Sequence, residues 1–204
     1  MKPQQFKLHP WHGLSPGEKC PELVTVYIEI VPGDSVKYEI DKVSGYLKVD
    51  RPQKFSNNVP ALYGFIPKTY CGEETAAFAR LKSGKNVTKG DGDPLDICVL
   101  TEKHINNGDI ILEAIPIGGL RMIDKDEADD KIIAVLKQDE IYGNYKDIND
   151  CPEALINRLK HYFLTYKALP GEPNAVGISN VYGKEEALEV IRKSMIDYNN
   201  TYSS

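Results

Sequence analysis

The sequence has few of the residues that build disulfide-linked or zinc-dependent proteins. Its four cysteines, Cys20, Cys71, Cys98 and Cys151, lie far apart and form no Cys-x-x-Cys pair. The four histidines show no spacing typical of zinc ligands. We therefore expect free thiols, as in a protein of the reducing cytoplasm.

The sequence also lacks an excess of positive charge and any long apolar run. It has 25 Lys and Arg against 30 Asp and Glu, a formal net charge of −5, which disfavours a nucleic-acid coat protein. Residues 1–13 contain no apolar segment of signal-peptide length, and no run approaches the ~18 residues of a membrane span. With no repeat or linker, the 204 residues fit one globular domain spanning 1–204, soluble and cytoplasmic.

Alternation of apolar and polar residues predicts strands in the N-terminal half. In residues 24–31 and 36–41, one face is apolar and the other carries polar residues such as Glu29, Lys37 and Glu39. Further strands are predicted at 47–50, 62–66, 95–100, 110–116, 119–123 and 131–136.

The C-terminal third changes to a helical period. Pro152 suits the first turn of a helix whose apolar residues recur every three or four positions up to Tyr166, with Pro170-Gly171 ending it. A second helix is predicted over 184–198. Short strands followed by helices favour an α+β fold that is mainly β, a small barrel or curled sheet with flanking helices.

The most informative segment is the acidic turn, Asp91-Gly92-Asp93-Pro94-Leu95-Asp96, which leads into an apolar strand. Two carboxylates about 4 Å apart repel by ~4 kcal/mol at an effective dielectric of about 20. A hard dication with oxygen ligands, Mg²⁺ or Ca²⁺, would relieve that repulsion. An EF-hand fits poorly, because Leu95 occupies a ligand position and Asp96 the glycine position.

A second acidic segment follows, and we call it the acidic loop. Between two apolar strands, its seven residues include Asp124, Asp126, Glu127, Asp129 and Asp130. Taken alone, the turn or the loop is better explained as a solvated surface segment. Both lie at the ends of core strands, so they can instead face each other across a cleft. Carboxylates that leave water on the ion favour Mg²⁺ there.

Cations and tyrosines offer a complement to these carboxylates. The candidates are Glu29, Lys37, Glu39, Arg51, Tyr63, Tyr166 and Lys167. Each has a simpler explanation as a surface pair, a solvated arginine, a core aromatic or a lysine at a helix C-terminus. Together, many carboxylates with several cations and tyrosines are what a phosphate-rich substrate with several magnesium ions requires.

These segments, in this order, resemble the soluble, magnesium-dependent inorganic pyrophosphatases of family I, the bacterial and eukaryotic type. The acidic turn is that family's signature, and the similarity extends over residues 21–195. The supporting positions are residues 27–30, 37–41, 49–51 and 63–64, then Asp124, Asp129, Lys131, residues 161–163, Tyr166 and Lys167. The resemblance implies a five-stranded OB-like barrel with flanking helices and an active site at one end.

The resemblance also implies a role for each matched residue. Asp93 would be the catalytic base. The Mg²⁺ ions, two activating and up to four with substrate, would be held by Asp91, Asp96, Asp124, Asp129 and Glu39. The phosphoryl groups would be bound by Lys37, Arg51, Tyr63, Tyr166 and Lys167. Glu29 and Lys131 would tune the surrounding charge.

On this resemblance, the chain would hydrolyse pyrophosphate to two orthophosphates by a metal-activated water, with Asp93 taking the proton. Attack would be in line, without a covalent enzyme intermediate. The family implies a homo-oligomer, hexamer or dimer, with no nucleic-acid or membrane partner. The alternative is an OB-like nucleic-acid-binding module, which the barrel permits but for which a basic stripe is lacking.

Two segments lie outside the family pattern. Residues 1–20 are expected to form an N-terminal extension. Residues 71–90, rich in Gly, Lys, Thr and Glu and placed directly before the acidic turn, are expected to form a mobile loop insertion.

Overall fold

The fold is mainly β, and the computed structural model describes it for residues 7–167, 171 and 176–202. The strands, β1 to β10 in chain order, are Val24–Ile30, Val36–Ile40, Leu47–Pro52, Leu62–Phe65, Lys89–Gly90, Asp96–Leu100, Ile110–Asp124, Glu127–Ala128, Lys131–Leu136 and Val176–Gly183. The helices α1 to α3 are Glu73–Ser83, Glu153–Thr165 and Lys184–Tyr202. Short 3-10 helices span Tyr142–Asn144 and Ile148–Asp150.

Five of the strands close into a ring in the order β1-β4-β6-β9-β7, because β7 pairs back onto β1. Neighbours in the ring are antiparallel except β6 and β9, which run parallel. Closure pairs both edges of each ring strand. The ring and its helices confirm the predicted fold class of a five-stranded, mainly β structure.

The core is built on both faces of the ring strands, as β9 illustrates. Ile132 and Ala134 join a buried cluster that includes residues of α3, whereas Ile133 and Val135 join a second cluster with α2. Successive side chains of a strand point to opposite faces, so a strand buried on both faces reads as a continuous apolar run. This packing fixes the strand ends on which the site is built.

The predicted break within residues 110–123 is wrong, because β7 runs unbroken from Ile110 to Asp124. Pro116 stays in the ladder opposite Ala134, and the register shifts between Pro116 and Gly118. The glycine at 119 is required by close approach, since a Cβ there would lie 2.4 Å from the ring of Tyr182 in β10. Strand β10 was not predicted from the sequence.

The prediction that residues 71–90 form a mobile loop is also wrong, because they contain helix α1. The helix N-terminus is capped from α3, where the Asp197 carboxylate accepts hydrogen bonds from the backbone N–H groups of Gly72, Glu74 and Thr75, each 2.9 Å long. The N-cap residue, Gly72, has no side chain, and the distant Asp197 supplies the capping hydrogen bonds instead.

The two predicted C-terminal helices are confirmed. Helix α2 follows Pro152 and ends at Thr165, and the predicted stop at Pro170 lies outside the described residues. Helix α3 begins at Lys184 as predicted but continues four residues past the predicted end, to Tyr202. All four cysteines are free, as expected. Among the described residues, every helix is too short or too polar to cross a membrane.

Candidate active site

The predicted site residues meet around one cavity of about 260 Å³ beside the first residues of β6 and β9. Those that line it are Lys37, Arg51, Tyr63, Asp91, Asp93, Asp96, Asp124, Asp129, Lys131, Tyr166 and Lys167. The other two, Glu29 and Glu39, line an adjoining cavity of about 80 Å³ that shares Lys37, Tyr63, Asp93 and Asp96 with the first.

The acidic turn and the acidic loop are brought together by a short parallel pairing. Strand β5, just before the turn, pairs with β8 inside the loop. The backbone N–H of Asp91 also donates to the carbonyl of Ala128, at 3.3 Å. Because β6 and β9 run side by side in parallel, Asp96 and Lys131 face each other at their first positions. The expected convergence of the two acidic segments is therefore present.

Lys131 lies at the centre of the carboxylates and is only 2 % exposed. Its ammonium contacts the carboxylates of Asp96 and Asp129. Burial lowers the pKa of Lys131, but attraction from Asp129 and Asp96 outweighs burial and holds the pKa well above its usual value. The hydroxyl of Tyr63 donates to Asp96 Oδ2 at 2.6 Å, so Asp96 is fixed from two sides.

The remaining carboxylates outnumber the buried lysine and repel one another when they are ionised. Burial, together with repulsion from Asp129, raises the pKa of Asp91 to about 9. Burial also raises the pKa of Asp129. Asp124 Oδ1 is buried and has no hydrogen-bond partner among the described residues. A site in which carboxylates hold protons or remain unpaired is chemically suited to a cation.

The other cations sit between a carboxylate and the cavity. The ammonium of Lys37 donates to Glu39 at 3.0 Å and to Asp50 at 2.8 Å, and Arg51 Nη1 donates to Asp50 at 2.6 Å. The ammonium of Lys167 donates to Asp124 Oδ2 at 2.5 Å. These ion pairs keep each cation directed at the cavity, where an anionic ligand can reach it.

Glu29 has a different environment from the polar strand face that its alternation predicted. It is buried, and its Oε1 accepts the backbone N–H of Ile40 at 2.7 Å. Burial raises the pKa of Glu29 to about 8, against the opposing effect of that hydrogen bond. Glu29 thus connects β1 to β2 beneath the smaller cavity.

The donor set fits Mg²⁺ better than an ion that needs a complete protein cage. Among the described residues, no three Asp, Glu, His or Cys side chains gather tightly enough to hold an ion by themselves. Mg²⁺ keeps several waters and binds through one or two carboxylates together with substrate phosphates. The unpaired Asp124 oxygen and the raised pKa of Asp91 are the observations that favour a cation here.

Sequence reasoning gave no site role to several cavity or contact residues, although residues 161–163 were part of the family match. Glu127, Tyr162 and Phe163 line the cavity, and the ammonium of Lys42 contacts the Asp93 carboxylate. Glu127 belongs to the acidic loop, so the charge pattern marked the segment without ranking its members. Lys42 follows the second predicted strand, and nothing local links it to Asp93, 51 positions away.

The comparisons with known proteins agree with this geometry. The sequence matches the family model of inorganic pyrophosphatase over residues 26–199. It is 54% identical over 199 residues to an inorganic pyrophosphatase of Chlamydia trachomatis serovar L2, covering 95% of each chain. It is 38% identical over 194 residues to soluble inorganic pyrophosphatase 2 of Chlamydomonas reinhardtii, covering 95% of this chain and 90% of that protein.

A solved structure is similar as well. The crystal structure of inorganic pyrophosphatase from Thermus thermophilus matches with a TM-score of 0.78 at 32% identity, covering 94% of this chain and 99% of that chain. The matches give no support to the nucleic-acid-binding alternative. Because the family match spans most of the chain and the identity extends along nearly its whole length, this chain belongs to the inorganic pyrophosphatases, enzymes that hydrolyse pyrophosphate.

Proposed function

We propose that the chain hydrolyses pyrophosphate with Mg²⁺ as its cofactor, two activating ions and up to four with substrate. The ions would be held by Asp91, Asp96, Asp124, Asp129 and Glu39. Bound Mg²⁺ supplies a lowered pKa for the attacking water and offsets the negative charge of the substrate. The observation that carries the proposal is the unpaired, buried Asp124 Oδ1 beside carboxylates whose pKa values are raised.

In this proposal Asp93 is the general base that takes a proton from the attacking water. Its carboxylate is half-exposed and faces both cavities. Its backbone is fixed, because its N–H donates to Asp91 Oδ1 at 3.0 Å and its carbonyl accepts from the Cys71 N–H at 2.8 Å. A base on a rigid turn keeps the geometry that proton transfer requires.

The cations and tyrosines bind the two phosphoryl groups. Lys37, Arg51 and Tyr63 hold one of them, and Tyr166 with Lys167 holds the other. Arg51 and Lys167 neutralise charge that moves onto the departing phosphate. Burial first, and then repulsion from Asp96, raises the pKa of Tyr63 well above its usual value, so its hydroxyl stays a hydrogen-bond donor.

The cellular location and the oligomeric state of the enzyme are also proposals. We place it in the cytoplasm, where its four free thiols would stay reduced. We expect a homo-oligomer, hexamer or dimer, on the family resemblance. We propose pyrophosphate as its substrate and expect no nucleic-acid or membrane partner.

Phosphate release tests the proposal. Purified protein is assayed with pyrophosphate in the presence of Mg²⁺ and then of EDTA, and with ATP as a control substrate. We expect release from pyrophosphate that stops with EDTA and returns when Mg²⁺ is added back. Undiminished release in EDTA would refute the metal dependence. Equal rates with ATP would refute the selectivity for pyrophosphate.

A further inference from the structure

Two residues from outside the family match, Trp11 and Tyr202, pack together behind the acidic turn. That match spans 26–199, whereas Trp11 and Tyr202 lie beyond its limits. The Trp11 side chain is 2 % exposed, and its ring centroid lies 5.5 Å from that of Tyr202 and 6.4 Å from that of Tyr70. Such aromatic pairs add to the stability that burial gives this corner.

Trp11 supports one side of the acidic turn. Its indole Nε1–H donates to the carbonyl of Thr69 at 2.7 Å. Thr69 is buried, and its hydroxyl oxygen accepts the backbone N–H of Leu95 at 2.9 Å. Two residues further along, the Cys71 N–H donates to the carbonyl of Asp93 at 2.8 Å. The segment held by Trp11 therefore carries the backbone of the proposed general base.

His9 supports the other side, through the turn that carries Lys42. The His9 Nδ1 accepts the backbone N–H of Trp11 at 3.2 Å, which leaves Nε2 as the donor to the carbonyl of Lys42, also at 3.2 Å. The turn lies directly on the His9 ring, since a Cβ at Gly45 would sit 2.8 Å from His9 Cδ2. Gly45 also has a φ of +73°, which a side chain would disfavour.

The contacts of Trp11 and His9 support the two backbone segments that carry Asp93 and Lys42. The Lys42 ammonium and the Asp93 carboxylate are in contact. Their side chains are 54% and 46% exposed. An exposed ion pair contributes too little to fix a catalytic geometry by itself. The geometry must then come from the two supporting backbones, one held by the buried hydrogen bond from Trp11 to Thr69 and the other by the exposed hydrogen bond from His9 to Lys42.

We propose that residues 9–11 form a terminal clamp that positions Asp93, and that Lys42 is the positioning residue through which the clamp acts on its carboxylate. The inference rests on the proposed role of Asp93 as general base. A displacement of about 1 Å at a catalytic group costs about 100-fold in rate. The clamp therefore acts on turnover rather than on substrate affinity.

Steady-state kinetics with pyrophosphate and Mg²⁺ test the role of Lys42. We expect Lys42→Met to lower kcat by about tenfold with KM changed less than about twofold, and Lys42→Arg to restore most of kcat. The matched control is Lys137→Met, which removes the exposed Lys137–Glu113 pair, 2.6 Å long, whose members line neither cavity. An unchanged kcat in Lys42→Met, an equal loss in the control, or a rise in KM alone would overturn the assignment.

Hydrogen–deuterium exchange without metal or substrate tests the clamp itself. Trp11→Phe keeps an aromatic ring but removes the N–H that reaches Thr69. We expect amides of residues 69–71 and 92–95 to exchange about tenfold faster, with the peptides of α2 unchanged. Equal protection in the variant and the wild type would refute the clamp.

The two hypotheses fail differently. A wild-type protein that releases no phosphate from pyrophosphate would remove the proposed function and leave the exchange result intact. An active wild type with unchanged kcat in Lys42→Met and unchanged exchange in Trp11→Phe would remove the clamp alone.

Discussion

Asp129 and Asp130 are neighbours in the sequence, yet their carboxylates lie in two regions that differ in how buried charge is compensated. Asp129 faces the cavity and shares Lys131 with Asp96. Asp130 turns away from it and accepts hydrogen bonds from Arg121 Nε at 3.1 and 3.2 Å. The cavity is open and holds more carboxylates than cations, whereas the second region is closed.

In the closed region opposite charges lie directly against each other, although Arg121 Nη1 and Nη2 and Glu186 Oε1 have no hydrogen-bond partner among the described residues. Arg121 is fully buried, and its Nη2 lies 3.0 Å from Asp130 and 3.2 Å from Glu186. Its guanidinium carbon lies 4.9 Å from the centroid of the Tyr182 ring. Burial raises the pKa of Asp130 to about 6, and Arg121 keeps it from rising further. Charge that the protein itself compensates is structural, and charge left in excess beside an open cavity is available to ligands.

The largest expected effect is on catalysis at the open region. Asp93→Asn removes the proposed base, so kcat should fall by about 10²- to 10⁴-fold. The side chain is half-exposed, so the midpoint of thermal unfolding should be unchanged. Phosphate-release kinetics and a thermal melt measure both quantities, and full activity in this variant would remove Asp93 as the base.

Asp129→Asn tests the open region at a proposed metal ligand. We expect kcat/KM to fall by about 100-fold, because a carboxylate ligand is lost. Lys131 keeps Asp96 as a counter-charge and one costly buried carboxylate is removed, so the loss of stability should be smaller than in Asp130→Asn. A loss of stability without loss of activity would contradict the division between the two regions.

Asp130→Asn is the matched control, one residue away. It leaves the buried Arg121 without its main counter-charge, so we expect a loss of about 3 kcal/mol of stability. The unfolding midpoint should fall by about 6–12 °C, while kcat at 25 °C stays within about threefold of the wild type. If both variants lose the same activity, the comparison fails.

We expect the smallest change in stability at Asp139. Its buried carboxylate is held in a third way, by hydrogen bonds alone. It accepts from the Thr101 hydroxyl at 2.7 Å and from the backbone N–H groups of Glu102, Ile141 and Tyr142 at 3.0, 3.0 and 2.7 Å. Burial raises the pKa of Asp139, but these bonds outweigh it, and the net pKa lies below the usual 3.8.

The stabilisation from Asp139 should therefore be complete above pH 3.8 and disappear as the pH falls through the lower folded-state pKa. Asp139→Asn should cost about 1–2 kcal/mol at neutral pH. Denaturant titrations at pH 7 and at acid pH measure the difference between the two proteins. A difference that grows on acidification would contradict the prediction.

The acidic turn could be read from the sequence because its chemistry is local. Three carboxylates within six residues identify the segment wherever it folds. The ring strands were also predictable, since burial on one or both faces leaves an alternating or continuous apolar pattern. The loop at 124–130 was identified as acidic, but its pattern did not separate Asp129 from Asp130. That division depends on Arg121 and Glu186, which come from other elements.

The missed elements depend on distant partners. The N-cap of α1 comes from Asp197, so the local sequence before Glu73 looks like a loop. Residues 117–118 were predicted as a break in β7, but Gly118 and Gly119 lie within the strand and allow the close approach of β10. The contact of Lys42 with Asp93 likewise spans 51 positions and leaves no spacing in the sequence.

The sequence by itself determined the family, the mainly β fold and the residues gathered at the cavity, because periodicity and the acidic signature are short-range properties of the chain. Only the tertiary structure decided which carboxylates remain in excess, which are neutralised, and what supports Asp93. Those outcomes follow from burial and from charges on separate elements, and an electrostatic interaction depends on distance in space rather than on distance along the chain.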